Sequence, residues 1–305
     1  MKACVVIATK GRAKETGVLL DYLANQSVVP HFVVVAGSEP SDIAGLDTHP
    51  LITQQKGQLI LSKAGSCTQR NAGVTALLAQ PGLQDAQDWF VAFFDDDFRP
   101  AADWLAQALQ YFQQEPTVVG LTGHVLADGV NLEFGIPESS ANGYLTQQKA
   151  PRPHWSNVSS PQPLFGLYGC NMAYKAVVMQ QQQFDENLPL YAWQEDYDFA
   201  HRALQYGELR LLPSCKGVHL GTSAGRTSGV RFGYSQIANP IYLVKKGSMP
   251  WRVAAKMMSK NLASNIVKSL TGVRIKDFPG RLKGNLRAIS HLFTGKLNPL
   301  RVLDI

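Results

Sequence analysis

Asp95, Asp96 and Asp97 are three consecutive carboxylates at the end of the apolar run Trp89-Phe90-Val91-Ala92-Phe93-Phe94. Adjacent like charges at a buried strand end are costly unless something cationic compensates them. A hard divalent cation, Mg²⁺ or Mn²⁺, does so with one or two carboxylates and the phosphates of a substrate. The triplet therefore points to a metal–phosphate ligand; a solvated acidic turn is the alternative. A second acidic group, Glu195-Asp196-Tyr197-Asp198, opens a helix-like segment. Backbone donors and the dipole hold a carboxylate ionised at a helix N-terminus, as a general base requires. Plain capping explains such residues equally. Arg70, at the start of another helix, is either a charge-assisted phosphate donor or a surface residue.

These side chains need a scaffold that gathers them. Residues 5–9 read as a strand, followed by the loop Lys10-Gly11-Arg12 and a helix over 15–25. Residues 32–36 form a second strand, ending in the polar loop 37–42, and 58–62 a weaker one. Residues 65–73 lead into a helix ending near 78, and the acidic strand follows. Alternation of this kind predicts an α/β fold, a parallel sheet with helices on both faces. Ligands of such sheets bind outside the carboxyl ends of the strands. Further on, 102–113 and 199–206 read as helices, and 118–123 and 208–212 as strands. Residues 136–163 include Pro151, Pro153, Pro161 and Pro163, a loop long enough to be functional or mobile.

The 305 residues, 45% hydrophobic and 17% charged, suit one large globular domain or two small ones. No run approaches the ~20 apolar residues of a membrane span, and the N-terminal segment does not read as a signal peptide. Cys4, Cys67, Cys170 and Cys215 have neither metal nor redox spacing, which predicts free thiols in a cytoplasmic setting. The sequon Asn157-Val158-Ser159 is then incidental. Charge is split along the chain. Residues 241–305 hold 13 Lys/Arg and 2 Asp/Glu, whereas residues 1–240 hold 16 and 21.

Four elements occur in a meaningful order: VVIATKGR, GSCTQRNAG, FFDDDFRP and WQEDYDFAHR. Together they resemble glycosyltransferase family 2, across roughly residues 3–225. The resemblance implies a GT-A (Rossmann-like) fold with a mixed, mostly parallel sheet. It also implies a nucleoside-diphosphate sugar donor, a divalent metal and inversion at the anomeric carbon. Asp97 would then be a metal ligand, and Asp95 would contact the ribose or a metal-bound water. Asp96 would be the variable middle residue of the D-x-D motif. Thr9 and Arg12 would lie against the nucleotide. Glu39 or Asp42 would read the base, with Lys10 departing from the usual loop residue. Gly169 and Asn171, in Gly169-Cys170-Asn171-Met172, would line the donor sugar. Asp196 would be the base, with Glu195 beside it, and Asp198 would pair with Arg202. His219 would complete the metal site or be structural. Arg226 and Arg231, in a Gly-rich stretch, would close over the diphosphate or lie in a surface loop. Trp155 and Trp193 would stack on sugar rings or serve packing.

The domain expectation is a catalytic unit over 1–240 and a basic helical extension over 241–305. Residues 1–100 would form the nucleotide half and 101–240 the acceptor half. Trp251, Ala255, Met258, Leu262, Ile266 and Leu270 share one helical face, and Arg252, Lys256, Lys260 and Lys268 fall mostly opposite. This amphipathic helix either lies at the inner face of an anionic membrane or packs on the domain. No aromatic-basic platform supports a nucleic-acid partner. The reading is a transferase acting on a saccharide or lipid-linked saccharide during polysaccharide assembly. A metal-dependent nucleotidyltransferase or phosphohydrolase leaves Glu195-Asp196 unexplained. A nucleotide-sugar-binding subunit without turnover leaves Asp95, Asp97 and Asp196 unexplained.

Overall fold

The computed structural model describes residues 1–222, 227–273 and 275–305. Strand β1 (Lys2–Ala8) lies between β2 (Phe32–Gly37) and β4 (Trp89–Asp95), and β3 (Gly57–Leu61) pairs with β2. These four strands are parallel, joined through α1 (Ala13–Ala24), α2 (Pro50–Thr53) and α3 (Ser66–Leu78). Their side chains alternate between two cores. Cys4, Val6, Val91 and Phe93 enter one; Val5, Ile7, Phe90 and Phe94 enter the other. Burial on both faces is why these strands read as unbroken apolar runs rather than alternating ones.

After β4 the chain turns through Asp96-Asp97 into β5 (Phe98–Pro100) and then α4 (Trp104–Gln114). Strand β6 (Val118–Asp128) is separated from β4 by β8 (Asn171–Lys175), antiparallel to both. Strand β9 (Glu208–His219) runs parallel to β6 and also carries β5 and the short β7 (Gln162–Pro163). Thus β1, β2, β3, β4, β6 and β9 share one direction, and β5, β7 and β8 oppose it. The sheet is mixed and mostly parallel, as expected. Between β6 and β8, the Pro-rich segment contains a short helix, α5 (Glu138–Leu145). Helix α6 (Ala176–Gln181) follows β8, and α7 (Glu195–Ala203) precedes β9.

The remaining chain forms α8 (Gly229–Lys246), α9 (Trp251–Leu270) and α10 (Phe278–Phe293). The expected boundary at residue 240 falls inside one continuous helix. Leu243 of α8, Met249 in the turn that follows it and Ala254 of α9 all lie in the main core. Helix α10 crosses α8 at glycines: a Cβ on Gly284 would fall 2.0 Å from the Val230 carbonyl oxygen, and one on Gly233 2.0 Å from that of Arg281. Next to this contact, Asn265 of α9 donates to Gln236 and Asn285 at 2.8 and 2.7 Å.

The face expected to unite Trp251 with Leu270 does not stay buried. Steps of four residues rotate 40° around a 3.6-residue helix. The line therefore drifts outward, leaving Trp251 58%, Ile266 39% and Leu270 82% exposed. Packing instead uses Ala254, Met258 and Asn265. The opposite face, with Arg252, Lys256 and Lys260, is exposed. Among the described residues no helix is long and apolar enough to cross a membrane.

Candidate active site at the carboxyl ends of the strands

Pairing fixes the acidic corner. Register sets Ala8 of β1 against Asp95 of β4, His219 of β9 against Phe98 of β5, and Asp128 of β6 against His219. Asp95, Asp97, Asp128 and His219 therefore converge although they come from three stretches of chain. One ligand atom from each of Asp95, Asp97 and His219 lies within 4.8 Å of the others. Nε2 of His219 is 3.3 Å from Asp97 Oδ1 and 3.9 Å from Asp95 Oδ2. Its other ring nitrogen, Nδ1, is 3.2 Å from Asp128 Oδ1. Asp128 Oδ2 accepts from the Tyr168 hydroxyl at 2.7 Å and meets His154 Nε2 at 3.5 Å. A carboxylate behind a ligating imidazole fixes the ring and raises its basicity.

Asp97 is buried. Its Oδ2 accepts from the Thr222 backbone N–H at 2.7 Å and hydroxyl at 2.8 Å, while its buried Oδ1 has no hydrogen-bond partner among the described residues. That oxygen, which faces the His219 Nε2 without a well-formed hydrogen bond, the half-buried Asp95 and the imidazole form a donor set suited to Mn²⁺ or Mg²⁺. Burial would raise the Asp97 pKa, but His219 and Arg12 bring it below the usual carboxylate range. Burial disfavours a charged His219, and Asp97 and Asp128 outweigh it, holding its pKa well above that of free imidazole.

Asp96 points away from this cluster. Its carboxylate accepts from the Thr9 hydroxyl at 2.8 Å and from Arg12 Nη1 at 2.7 Å. Burial pushes its pKa up, to about 7, against the pull of Arg12. Thr9 also takes a bond from Thr16, and Arg12 Nη2 reaches the Thr222 carbonyl oxygen at 3.0 Å. Thr9, Arg12 and Asp96 thus brace the turn that presents Asp97.

Arg70 is buried rather than on the surface. Helix α3 sits close to β1 because Gly73 leaves room; a Cβ there would meet Val6 Cγ1 at 2.5 Å. From that height the guanidinium donates to Glu195 Oε1 at 2.5 Å, Asp95 Oδ1 at 3.2 Å and the Gly169 carbonyl at 3.4 Å. Arg70 joins the two acidic groups. Asp196, partly buried, accepts from the backbone N–H of Gly169 at 3.0 Å and of Tyr197 at 2.8 Å. Burial raises the Glu195 pKa to about 8, with Asp196 adding to it and Arg70 opposing. Burial raises Asp196 too, opposed by its two backbone donors. The segment before this helix is strained: Leu190, Ala192 and Gln194 have φ of 60°, 51° and 77°. Each such residue costs on the order of 1 kcal/mol, a strain that collects at functional sites.

Other expected residues lie elsewhere. The Asn171 side chain is fully buried and bonded to Thr122 and Gly123 of β6, so it is turned into the sheet rather than brought to the cluster. Gly169 is at the site. Asp42 accepts from the Gly11, Ser38 and Glu39 N–H groups at 2.6, 2.8 and 3.0 Å, and Glu39 is exposed. Asp198 binds Arg202, as its spacing suggests, and also Lys246. Arg231 is in α8 and donates to the Ile305 carbonyl at 2.7 Å; Arg226 lies outside the described residues. Trp155 is 53% exposed and 6.0 Å from Tyr168, at the rim of the cluster. Trp193 contacts Phe232. Sequence reading missed Asp128, Tyr168, His154 and Thr222. Asp128 carries the same signal as Asp95, a carboxylate closing an apolar strand, here before Gly129.

No protein-family model and no curated protein matches the sequence. Solved structures do. TarS of S. aureus superposes with TM-score 0.52 at 20% identity, over 80% of this chain and 40% of its own. The mannosyltransferase PcManGT of Pyrobaculum calidifontis, in complex with GDP-Man and Mn²⁺, gives 0.53 at 16% identity, over 99% of this chain and 85% of its own. GalNAc-T7 with UDP, GalNAc and Mn²⁺ gives 0.53 at 11%, over 87% and 57%. The fold is GT-A. This chain spans less than half of the TarS chain, and similarity at these identities establishes architecture alone. Within the GT-A fold, the acidic turn after β4 lies at the sheet end where ligands of open α/β sheets bind.

Proposed function

We propose that the protein is a metal-assisted, inverting glycosyltransferase of family 2 type. It would take a nucleoside-diphosphate sugar as donor and a saccharide or lipid-linked saccharide as acceptor. The observation that carries this reading is the Arg70 bridge. One buried guanidinium ties Asp95 of the metal cluster to Glu195 of the second acidic group. Donor-side and acceptor-side chemistry are thereby held in one rigid unit, which a phosphohydrolase does not need.

Asp95, Asp97 and His219 would hold Mn²⁺ or Mg²⁺, which would supply charge neutralisation to the departing diphosphate. The chain's own residues do the rest. Arg70 pairs with Glu195, whose pKa burial pushes up to about 8, so less negative charge stands beside Asp196 than a second free carboxylate would place there. Asp196, fixed by the Gly169 and Tyr197 N–H groups, takes the proton of the acceptor hydroxyl as it attacks the anomeric carbon. Arg70 holds Asp95 and Glu195 in register. Glu39 and Asp42 cap each other in the short helical turn after β2, and of the two Glu39 is the exposed one that would read the base. Trp155 at the rim is placed to stack on a sugar ring.

The exposed side of the C-terminal helices favours a peripheral contact with anionic lipid. On α9 it combines Arg252, Lys256 and Lys260 with Leu270, which is 82% exposed. Because residue 240 lies inside α8, the catalytic unit would end after Lys246, with α9–α10 as an extension that stays joined to the main core through Ala254. The test of the main reading is a panel of nucleotide sugars with Mn²⁺, following nucleoside-diphosphate release with and without saccharide acceptors. Metal-dependent release stimulated by an acceptor supports it. Binding without release, or acceptor-independent phosphohydrolysis, overturns it.

A further inference from the structure

A second concavity lies beside β6 and β9. Its volume is about 590 Å³, and its walls include His124, Tyr144, Lys149, Asn157, Ser214 and Lys216. None of its lining residues is an Asp or Glu. His124 and Lys216 are register partners across the strands. His124 is 6% exposed, and its Nε2 has no hydrogen-bond partner among the described residues. Lys216 is half-buried and forms no ion pair with any described residue. Lys149 reaches the Ser140 hydroxyl at 3.0 Å and lies 5.6 Å from the Tyr144 ring centroid. Lys216 is thus the half-buried cation of this pocket, and Lys149 is exposed at its edge. Burial and Lys216 lower the His124 pKa, leaving a neutral imidazole as a hydrogen-bonding group. A half-buried cation without a counter-charge is costly, and an anion relieves the cost.

The pocket shares a wall with the metal cluster. On one side of the segment 154–158, His154 meets Asp128 and the Ser156 hydroxyl. Ser156 also accepts from the Val125 backbone N–H at 2.8 Å. On the other side, Asn157 and Val158 line the pocket. Along β6, His124 is four residues before Asp128, roughly 13 Å at strand rise. That is the span of two or three sugar units, not of a single transferred residue.

We propose that this pocket binds an oxyanion group, phosphate or carboxylate, on the acceptor saccharide at a site removed from the attacking hydroxyl. Tyr144 supplies a face for the sugar ring, Asn157 and Ser214 supply hydrogen bonds, and Lys149, Lys216 and His124 face the anion. The assignment of the bound saccharide as acceptor rests on the transferase reading; the anion site itself does not.

The experiment separates the two. Full-length protein is titrated with glucose, glucuronate, glucose 6-phosphate and inorganic phosphate while the His124 imidazole resonances are followed. Glucose 6-phosphate or glucuronate should shift them at concentrations at least tenfold lower than glucose. The Lys149→Gln, Lys216→Gln double variant should lose that preference with its fold and melting temperature intact, and Lys216→Arg should retain it. If no anion perturbs His124 more than glucose does, or if the double variant binds unchanged, the anion site is wrong. Inorganic phosphate binding as well as the sugar phosphate would overturn the saccharide part. In the donor assay, the double variant should keep acceptor-independent donor hydrolysis and raise the KM of an anionic acceptor at least tenfold, with kcat little changed. Equal KM values with a working donor reaction would sink the acceptor role and leave the transferase reading standing.

Discussion

The acids at the end of the sheet and the cations of α9 are both dense in charge, and they are held in opposite ways. Asp97 is buried under two bonds from Thr222, with His219 and Arg12 beside it. Asp96 and Glu195 each have a buried or half-buried arginine. Arg252, Lys256 and Lys260 stand in solvent, on the face of α9 that touches nothing described. Buried charge depends on position to a fraction of an ångström, because an unpaired ion in the interior has no water to fall back on. Exposed charge acts as a field, and its members are nearly interchangeable. The two regions should therefore fail differently. Single changes should disable the first, whereas only summed changes should weaken the second.

The largest effect is expected at Asp97. Asp97→Asn keeps the shape and the acceptor for Thr222 but removes the charge facing His219. Metal-dependent turnover should fall by roughly 10³-fold or more, with far-UV circular dichroism unchanged. Activity near wild type in metal-buffered assays would show that this carboxylate is a structural anchor. Asp196→Asn tests the other end of the Arg70 bridge. Donor binding should persist while transfer drops by ~10²–10⁴-fold, the contribution of a positioned base. Lost donor affinity with an unchanged rate at saturation would make Asp196 a binding residue.

The two regions also differ in how they show in the sequence. The strand Trp89–Asp95 and the helix Ser66–Leu78 were readable because periodicity and terminal residues are local signals. Asp95, Asp97, Glu195 and Asp196 were readable because paired acids at element ends have few uses. The partnership of His219 with Asp128 was not, since it depends on the parallel pairing of β6 with β9. Asn171 misled because a small polar residue beside glycine suits a ligand wall and a sheet equally, and only the side-chain direction decides. In α9 the apolar residues are visible in the sequence but not their angular drift, so the helix packs on the domain without burying the whole expected line. One face packs, and the other is exposed.

A smaller effect separates burial from pairing at Glu195. Its carboxyl ordinarily titrates near 4.5 and in the folded protein is pushed up to about 8 by burial and by Asp196. Between those values the folded chain binds more protons than the unfolded one, so Glu195 costs stability as pH rises. Glu195→Gln has no such proton to lose. Its melting temperature relative to wild type should therefore climb from pH 5 to pH 8 and level off above that. A constant difference across the range would mean that the Arg70 pair keeps Glu195 ionised throughout.

The smallest effect per residue is expected on α9, where the outcome also decides whether the exposed cations meet lipid. Each Lys or Arg near an anionic surface contributes ~1 kcal/mol, screened over roughly 8 Å at physiological salt. Full-length protein should sediment with anionic vesicles but not neutral ones, and come off as salt rises. Replacing Lys256 alone should change the bound fraction only a few-fold. Lys256→Glu with Lys260→Glu removes two attractions, worth roughly thirtyfold in partitioning, and adds two repulsions. Donor turnover in solution should not change, because both lysines are exposed and take no part in the packing of Ala254, Met258 and Asn265. Leu270→Ser should weaken binding in a salt-independent way, since that side chain is 82% exposed and contributes by apolar burial rather than charge. If wild type stays in the supernatant with both vesicle types at low salt, the exposed face of α9 does not meet lipid. If instead Lys256→Glu alone abolishes binding, the lysine belongs to a fitted site, and the contrast between positional and summed charge fails on this helix.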